Sequence, residues 1–87
     1  MEKPRKKRQL DISLEEMFGN ILQELRKEKG LSQEELGLES GYHRTYISML
    51  ERGKKGPSLN TIFQLAETLD VKPSEFIERI QKERKIK

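Results

Sequence analysis

The chain has 87 residues, which is enough for one small domain and little more. It contains no Cys, no Trp and one His, so disulfide frameworks, thiolate zinc sites and thiol catalysis are excluded. No apolar run approaches the roughly 18 residues of a membrane helix, and the N-terminus lacks the apolar stretch of a signal peptide, so we expect a soluble cytoplasmic protein.

Charge is distributed unevenly along the chain, whose formal net charge is +3. Residues 1–8 and residues 79–87 each carry a net charge of +4, which leaves −5 for residues 9–78. An acidic body with two basic ends differs from a uniformly basic nucleic-acid binder. If DNA is the partner, the basic residues of the body must therefore lie together on one face.

The charge pattern also suggests the domain boundaries. We expect residues 1–12 to form a basic disordered arm, residues 13–80 the folded domain, and residues 81–87 a basic helix end or tail. Two interpretations of the arm stay open: it lies along a DNA duplex, or it is a solvated tail.

Apolar spacing predicts a first helix of about four turns, with Ser13 as its N-cap and Gly30 as its stop. The positions that share its apolar face are Leu14, Phe18, Ile21, Leu22 and Leu25. The S-x-x-E pattern from Ser32 to Glu35 predicts a capping box that starts a second helix at Gln33. This short helix ends at Gly41, which can adopt the positive φ of a tight turn.

Three more helices are predicted. The third covers residues 44–52 and is followed by Gly53 and a loop. Ser58 caps the fourth, whose apolar stripe consists of Leu59, Ile62, Phe63, Ala66 and Leu69. Pro73 suits the first turn of the fifth, which places three residues on its inner face: Phe76, Ile77 and Ile80. We therefore predict a compact all-α domain of five helices, with the phenylalanines in the core and not in a stacking platform.

The second and third helices, joined by a short turn with a glycine, form a helix-turn-helix pattern. The sequences of residues 30–36, 40–42 and 46–53 strongly resemble the Xre/Cro-like helix-turn-helix family, and the resemblance extends over residues 14–80. It implies a lambda-repressor-like domain that acts as a DNA-binding transcriptional regulator. The sequence RTYIS at residues 44–48 and the small size also look like the controller proteins of restriction–modification systems.

The third predicted helix has a polar face that suits entry into a DNA major groove. Four residues follow the i, i+3, i+4, i+7 spacing of that face: Thr45, Ser48, Met49 and Arg52. The resemblance implies base-edge contacts by Arg44, Thr45, Ser48 and Met49. Because an arginine can donate two parallel hydrogen bonds to guanine O6 and N7, Arg44 is the strongest candidate for reading a base.

The resemblance also implies contacts to the DNA backbone. Gln33 opens the second helix, where free backbone N–H groups favour an anion. Three cations lie at the end of the third helix and in the loop after it: Arg52, Lys54 and Lys55. The family pairs an arginine late in the first helix with a glutamate late in the third, which matches Arg26 and Glu51 and keeps Arg26 near a phosphate.

Two residues depart from the family pattern. Gly37 replaces the usual alanine in the second helix, which is consistent with close contact to the third helix although glycine costs roughly 1 kcal/mol there. His43 stands where Ser, Thr or Asp commonly caps the recognition helix, so it is a turn residue or weak cap and not a metal ligand or catalytic base.

These patterns predict a regulator that reads a near-palindromic operator in double-stranded DNA as a homodimer, with Phe76, Ile77 and Ile80 in the dimer interface. The alternative is an antitoxin or other protein-interaction module whose main partner is another protein. An enzyme is the remote third possibility, because the sequence has no nucleophile–base pair and no phosphate loop. We expect no cofactor, no metal, no small-molecule ligand and no membrane partner.

Overall fold

The structure is a computed structural model that describes residues 12–85, so nearly all of the predicted arm and the last two residues lie outside the described residues. It contains five α-helices and, within 12–85, no strand: α1 (Leu14–Glu28), α2 (Gln33–Ser40), α3 (Arg44–Glu51), α4 (Leu59–Leu69) and α5 (Pro73–Lys85). The predicted all-α architecture of five helices is confirmed. None of these helices has both the length and the apolar character that a membrane span requires.

Serine caps fix where three of the helices begin. The side chains of Ser13, Ser32 and Ser58 each accept a hydrogen bond of 3.0 Å from the backbone N–H three residues later. Glu16 and Glu35 complete the capping boxes of α1 and α2 by accepting from the N–H of the cap residue. Each such cap stabilises its helix by about 1 kcal/mol, so these short helices start at defined residues.

The core lies where α1 packs against α3 and α5 and where α2 packs against α3 and α4. The rings of Phe18 and Phe76 stack at its centre, with their centroids 4.9 Å apart. The other large side chains that are fully buried come from four helices: Ile21, Leu22, Leu36, Ile47, Leu50 and Leu65. The recognition helix predicted from the sequence is therefore part of the core and not an appendage to it.

The predicted apolar stripe of α4 is wrong at two positions, and so is the placement of Phe63 in the core. Phe63 is 55% exposed and Leu59 is also exposed, whereas Leu65, Ala66 and Leu69 are buried. The inner face of α5 needs a similar correction, because Ile77 is 52% exposed. A stripe of i, i+3, i+4 positions can be wider than the surface that the neighbouring helices cover.

Phe76 requires a correction of its predicted role. It was predicted to lie in a dimer interface, yet its side chain is completely buried within this single chain and stacks on Phe18. It therefore contributes no surface to a partner. Ile77 is exposed and Ile80 packs half-buried against the core, so these two residues keep part of their surface available.

Candidate nucleic-acid interface

The turn between α2 and α3 is tight and depends on two glycines. Gly41 follows α2 with φ 86°, in the left-handed region that glycine favours. A Cβ atom on Gly37 would lie 2.5 Å from the carbonyl oxygen of Tyr42, so only glycine allows the turn to approach α2 this closely. The close contact predicted for Gly37 is confirmed.

His43 caps the recognition helix α3, as the sequence predicted. Its Nδ1 atom accepts a hydrogen bond of 3.0 Å from the backbone N–H of Thr45. The ring is exposed and lies at the surface next to Arg44, the first residue of the helix. The cap fixes the first turn of α3 and hence the backbone from which Arg44 and Thr45 extend.

Helix α3 has one buried face and one exposed face. Ile47 and Leu50 are fully buried, which confirms that they point into the core. The predicted base-contact residues lie elsewhere on the helix. Of these, Arg44 and Thr45 are exposed, and Ser48 and Met49 are half-buried. The structure thus presents a polar surface on a helix whose opposite side is tightly packed.

Positive charge is concentrated at this helix and in the loop after it. Four of the eight Lys and Arg residues in the acidic segment 9–78 occur between positions 44 and 55, and all four are exposed: Arg44, Arg52, Lys54 and Lys55. Arg52 extends back along α3, and its Nε atom donates to Ser48 Oγ over 3.3 Å. This stretch is positively charged, as a surface that binds DNA must be, although segment 9–78 as a whole is acidic.

A buried ion pair holds the C-terminal end of α3. Arg26 Nε donates to Glu51 Oε2 over 2.6 Å, and Arg26 Nη2 donates to Glu51 Oε1 over 3.0 Å. The third guanidinium nitrogen, Nη1, donates to the carbonyl oxygen of Leu31 over 2.8 Å. The hydrogen bond to Glu51 raises the pKa of Arg26 above its ordinary value, so the guanidinium stays charged.

The Arg26–Glu51 pairing is confirmed, and the phosphate contact of Arg26 stays a prediction. Its side chain is 9% exposed, and each guanidinium nitrogen already donates to an oxygen of the protein. These contacts connect α1 to α3 through the Arg26 side chain.

Gln33 is the second predicted phosphate contact whose side chain turns inward. Its Nε2 atom donates to Glu51 Oε1 over 2.9 Å, and the residue is half-buried. The remaining predicted phosphate contacts, Arg52, Lys54 and Lys55, are exposed, as such contacts require.

Gly19 contributes to the site in a way that the sequence did not reveal. It lies inside α1, and a Cβ atom there would be 2.4 Å from the Leu50 carbonyl oxygen and 2.5 Å from that of Glu51. The backbone of α1 therefore touches the last turn of α3. The available signal was a glycine inside an otherwise regular helix, a position that disfavours helix unless packing requires it.

A group of hydroxyls connects the N-terminal half of α3 to α4. Tyr46 Oη lies 3.1 Å from the buried Thr61 Oγ1, and Ser58 Oγ lies 3.0 Å from the same atom. Tyr42 donates to Thr61 Oγ1 over 3.4 Å, and the two tyrosine rings pack with centroids 5.1 Å apart. Both ends of the recognition helix are thus fixed by polar contacts to its neighbours.

Comparisons with known proteins identify the family. A model of the helix-turn-helix family matches residues 22–76. The uncharacterized HTH-type transcriptional regulator y4dJ of Sinorhizobium fredii is 38% identical over 66 residues, which are 76% of this chain and 86% of that protein. Control protein C.BamHI of Bacillus amyloliquefaciens is 38% identical over 63 residues, 71% of this chain and 78% of its own length.

A solved structure extends the similarity to three dimensions. The crystal structure of the restriction-modification controller protein C.AhdI from Aeromonas hydrophila aligns with a TM-score of 0.69 and 47% identity, covering 71% of this chain and 94% of that one. Both resemblances drawn from the sequence, to Xre/Cro-like regulators and to restriction–modification controllers, are confirmed. The chain belongs to the helix-turn-helix family and is a DNA-binding transcriptional regulator.

Proposed function

We propose that this chain reads a specific, near-palindromic operator in double-stranded DNA as a two-fold symmetric dimer, with α3 in the major groove. The observation that carries the proposal is the polar, exposed face of α3 on a helix that is fixed at both ends. A helix of this kind fits the major groove, where each base pair presents a distinct pattern of donors and acceptors.

Base recognition is assigned to Arg44, Thr45, Ser48 and Met49. Arg44 is exposed at the first position of α3, and recognition helices contact base edges with their N-terminal residues. Thr45 offers a hydroxyl and a methyl group, and Ser48 offers a hydroxyl. Met49 suits apolar contact with a thymine methyl group.

Phosphate binding is assigned to Arg52, Lys54 and Lys55, which are exposed at the end of α3 and in the following loop. The N-terminus of α2 supplies a further phosphate contact, because the first backbone N–H groups of a helix have no partner within the helix. In this proposal Gln33 contacts the phosphate through its backbone. Such contacts orient the protein on the duplex without reading its sequence.

Dimerisation is assigned to a surface of α4 and α5 that is defined by Phe63, Ile77 and Ile80 and is called the α4–α5 surface below. Phe63 and Pro73 line one shallow depression, and Ile77 and Ile80 line another. Pro73 and Ile77 are one turn apart on α5. Phe63 and Ile77 are exposed, so pairing would remove apolar surface from water.

In vitro selection of bound sequences from a random DNA pool tests the proposal. We expect a consensus of two inverted half-sites whose centres are about 10–10.5 base pairs apart, because a two-fold dimer places its recognition helices about one turn of B-DNA apart. Selection with Arg44→Ala should lose information at one base pair in each half-site. No enrichment by the wild type, or a consensus without inverted symmetry, would refute the proposal.

A further inference from the structure

We propose that the side chain of Gln33 positions the recognition helix through its hydrogen bond to Glu51. This inference rests on the proposed function, since it assigns the residue its part in base recognition. Gln33 is the first residue of α2 and Glu51 is the last residue of α3. Their hydrogen bond thus joins the start of one helix of the motif to the end of the other.

The Glu51 carboxylate is a buried acceptor that needs its donors. Its side chain is 2% exposed, and the described contacts give it three donors: Nε and Nη2 of Arg26 and Nε2 of Gln33. A buried charge that loses a hydrogen bond is destabilised, because water is not there to replace the missing donor. One of the two N–H groups of the Gln33 amide is therefore held toward Glu51.

This arrangement couples two kinds of DNA contact. The backbone N–H groups at the start of α2 face the proposed phosphate, while the side chain of the first residue of that helix bonds to the end of α3. A phosphate bound at the start of α2 would thereby hold Gln33, and the side chain of Gln33 holds Glu51 at the end of α3. We expect Gln33 to determine how accurately α3 is placed in the groove, and hence the discrimination between sequences, more than the affinity for DNA in general.

The first experiment uses the free protein and the variant Gln33→Glu. A carboxylate at the first position of a helix ordinarily stabilises that helix. Here it would face Glu51 across a contact of 2.9 Å, and two carboxylates that share a site repel each other unless one of them holds a proton. The matched control is Gln23→Glu, which makes the same charge change at an exposed position of α1.

We expect Gln33→Glu to unfold at a lower temperature than wild type at pH 7.5. We also expect the amide protons of Arg52 and Gly53, which bond to the Ser48 and Leu50 carbonyls, to exchange at least about tenfold faster. A variant as stable and as protected as wild type at pH 7.5, like the Gln23→Glu control, would overturn the inference.

The second experiment measures DNA binding by Gln33→Met, which keeps the length of the side chain and removes the donor. We expect affinity for the selected operator to fall about tenfold while affinity for a scrambled duplex stays within about twofold of wild type. Equal losses on both duplexes would identify a direct phosphate contact and overturn the inference. If wild type fails to distinguish the two duplexes, the proposed function fails, and the exchange experiment still judges the Gln33–Glu51 contact on its own.

Discussion

Arg44 and Arg26 carry the same functional group in opposite surroundings, and the surroundings decide what each can do. Arg44 is exposed at the start of α3, so its guanidinium can meet a ligand from outside the protein. Arg26 is buried and bonded to Glu51 and to the Leu31 carbonyl, so three of its five N–H groups donate within the fold. A planar guanidinium serves both tasks because it donates in a fixed fork, to a base edge in one case and to a carboxylate in the other.

Arg44→Ala should weaken binding to the selected operator by about 1–3 kcal/mol, because the two hydrogen bonds proposed between its guanidinium and a guanine would be lost. Arg44→Lys is the matched control, since it keeps the charge and loses the fork. We expect both variants to lose preference at the same base pair in a binding titration against single-base operator variants. Unchanged preference in both would remove Arg44 from the base-reading residues.

Lys54→Ala should weaken binding to every duplex by a similar factor, because a phosphate contact carries no sequence information. The slope of log affinity against log salt concentration should decrease in magnitude by about one for each lost contact. Lys72→Ala removes an equal charge from the exposed connection between α4 and α5 and provides the comparison. A Lys54 variant that prefers a different operator would contradict the assignment.

At the scale of the helices, local sequence signals were sufficient to predict where each helix begins. Contacts between residues far apart in the chain could not be predicted from such signals. The capping serines and Gly41 act within a few residues of their own positions, and the helices follow them. The outward position of Phe63 and the contact of Gly19 with α3 depend on how the helices pack. The spacing of apolar residues gives the period of a helix, but it does not show which part of the apolar stripe a neighbouring helix covers.

The candidate site shows the same division. The exposed residues of α3 could be assigned from helical spacing and from the family resemblance. The inward turn of Gln33 could not, because its partner Glu51 is 18 positions away and both side chains are polar. Hydrophobic patterning carries no information on which polar groups form hydrogen bonds with each other inside a protein.

Gly19→Ala tests the contact between α1 and α3. Alanine favours helix over glycine by about 1 kcal/mol, so a free helix would gain stability. In this fold the new methyl carbon would lie 2.4 Å from the Leu50 carbonyl oxygen, and such overpacking costs about 1–3 kcal/mol.

We expect the Gly19→Ala variant to unfold at a lower urea concentration and to bind the operator more weakly. Asn20→Ala, at the exposed neighbouring position, should leave both properties near their wild-type values. Equal stability of the Gly19 variant and wild type would show that α1 and α3 can separate at little cost.

At the scale of the whole molecule, the uneven charge and the exposed apolar residues belong to different surfaces. The exposed cations of the body are concentrated in and after α3, whereas Phe63 and Ile77 lie on α4 and α5. Dimerisation through the α4–α5 surface would therefore leave the cationic stretch free for DNA. Two copies bound side by side would combine two weak half-site contacts into one strong complex.

Ile77→Asp should shift the protein toward monomer at micromolar concentration, because a charge would enter the apolar surface that pairing buries. Ile77 is the suitable residue for this test, because it is exposed in a single chain and its substitution leaves the core intact. Phe76 is buried and supports the fold. Leu38→Asp makes the same change at an exposed apolar residue of α2.

Sedimentation and operator titration distinguish the two variants. We expect weaker self-association and weaker operator binding for Ile77→Asp, with Leu38→Asp self-associating like wild type. A wild-type monomer that binds its operator with single-site stoichiometry would refute the dimer.

The cluster of hydroxyls around Thr61 determines how this protein can be followed by spectroscopy. The chain has no tryptophan and two tyrosines, and both tyrosines pack together where the turn and α3 meet α4. Intrinsic tyrosine fluorescence and its near-ultraviolet circular dichroism therefore come from a single location beside the recognition helix. After correction for absorption by the DNA, a change in tyrosine emission when DNA is added would report a change in the surroundings of these two rings without any attached label.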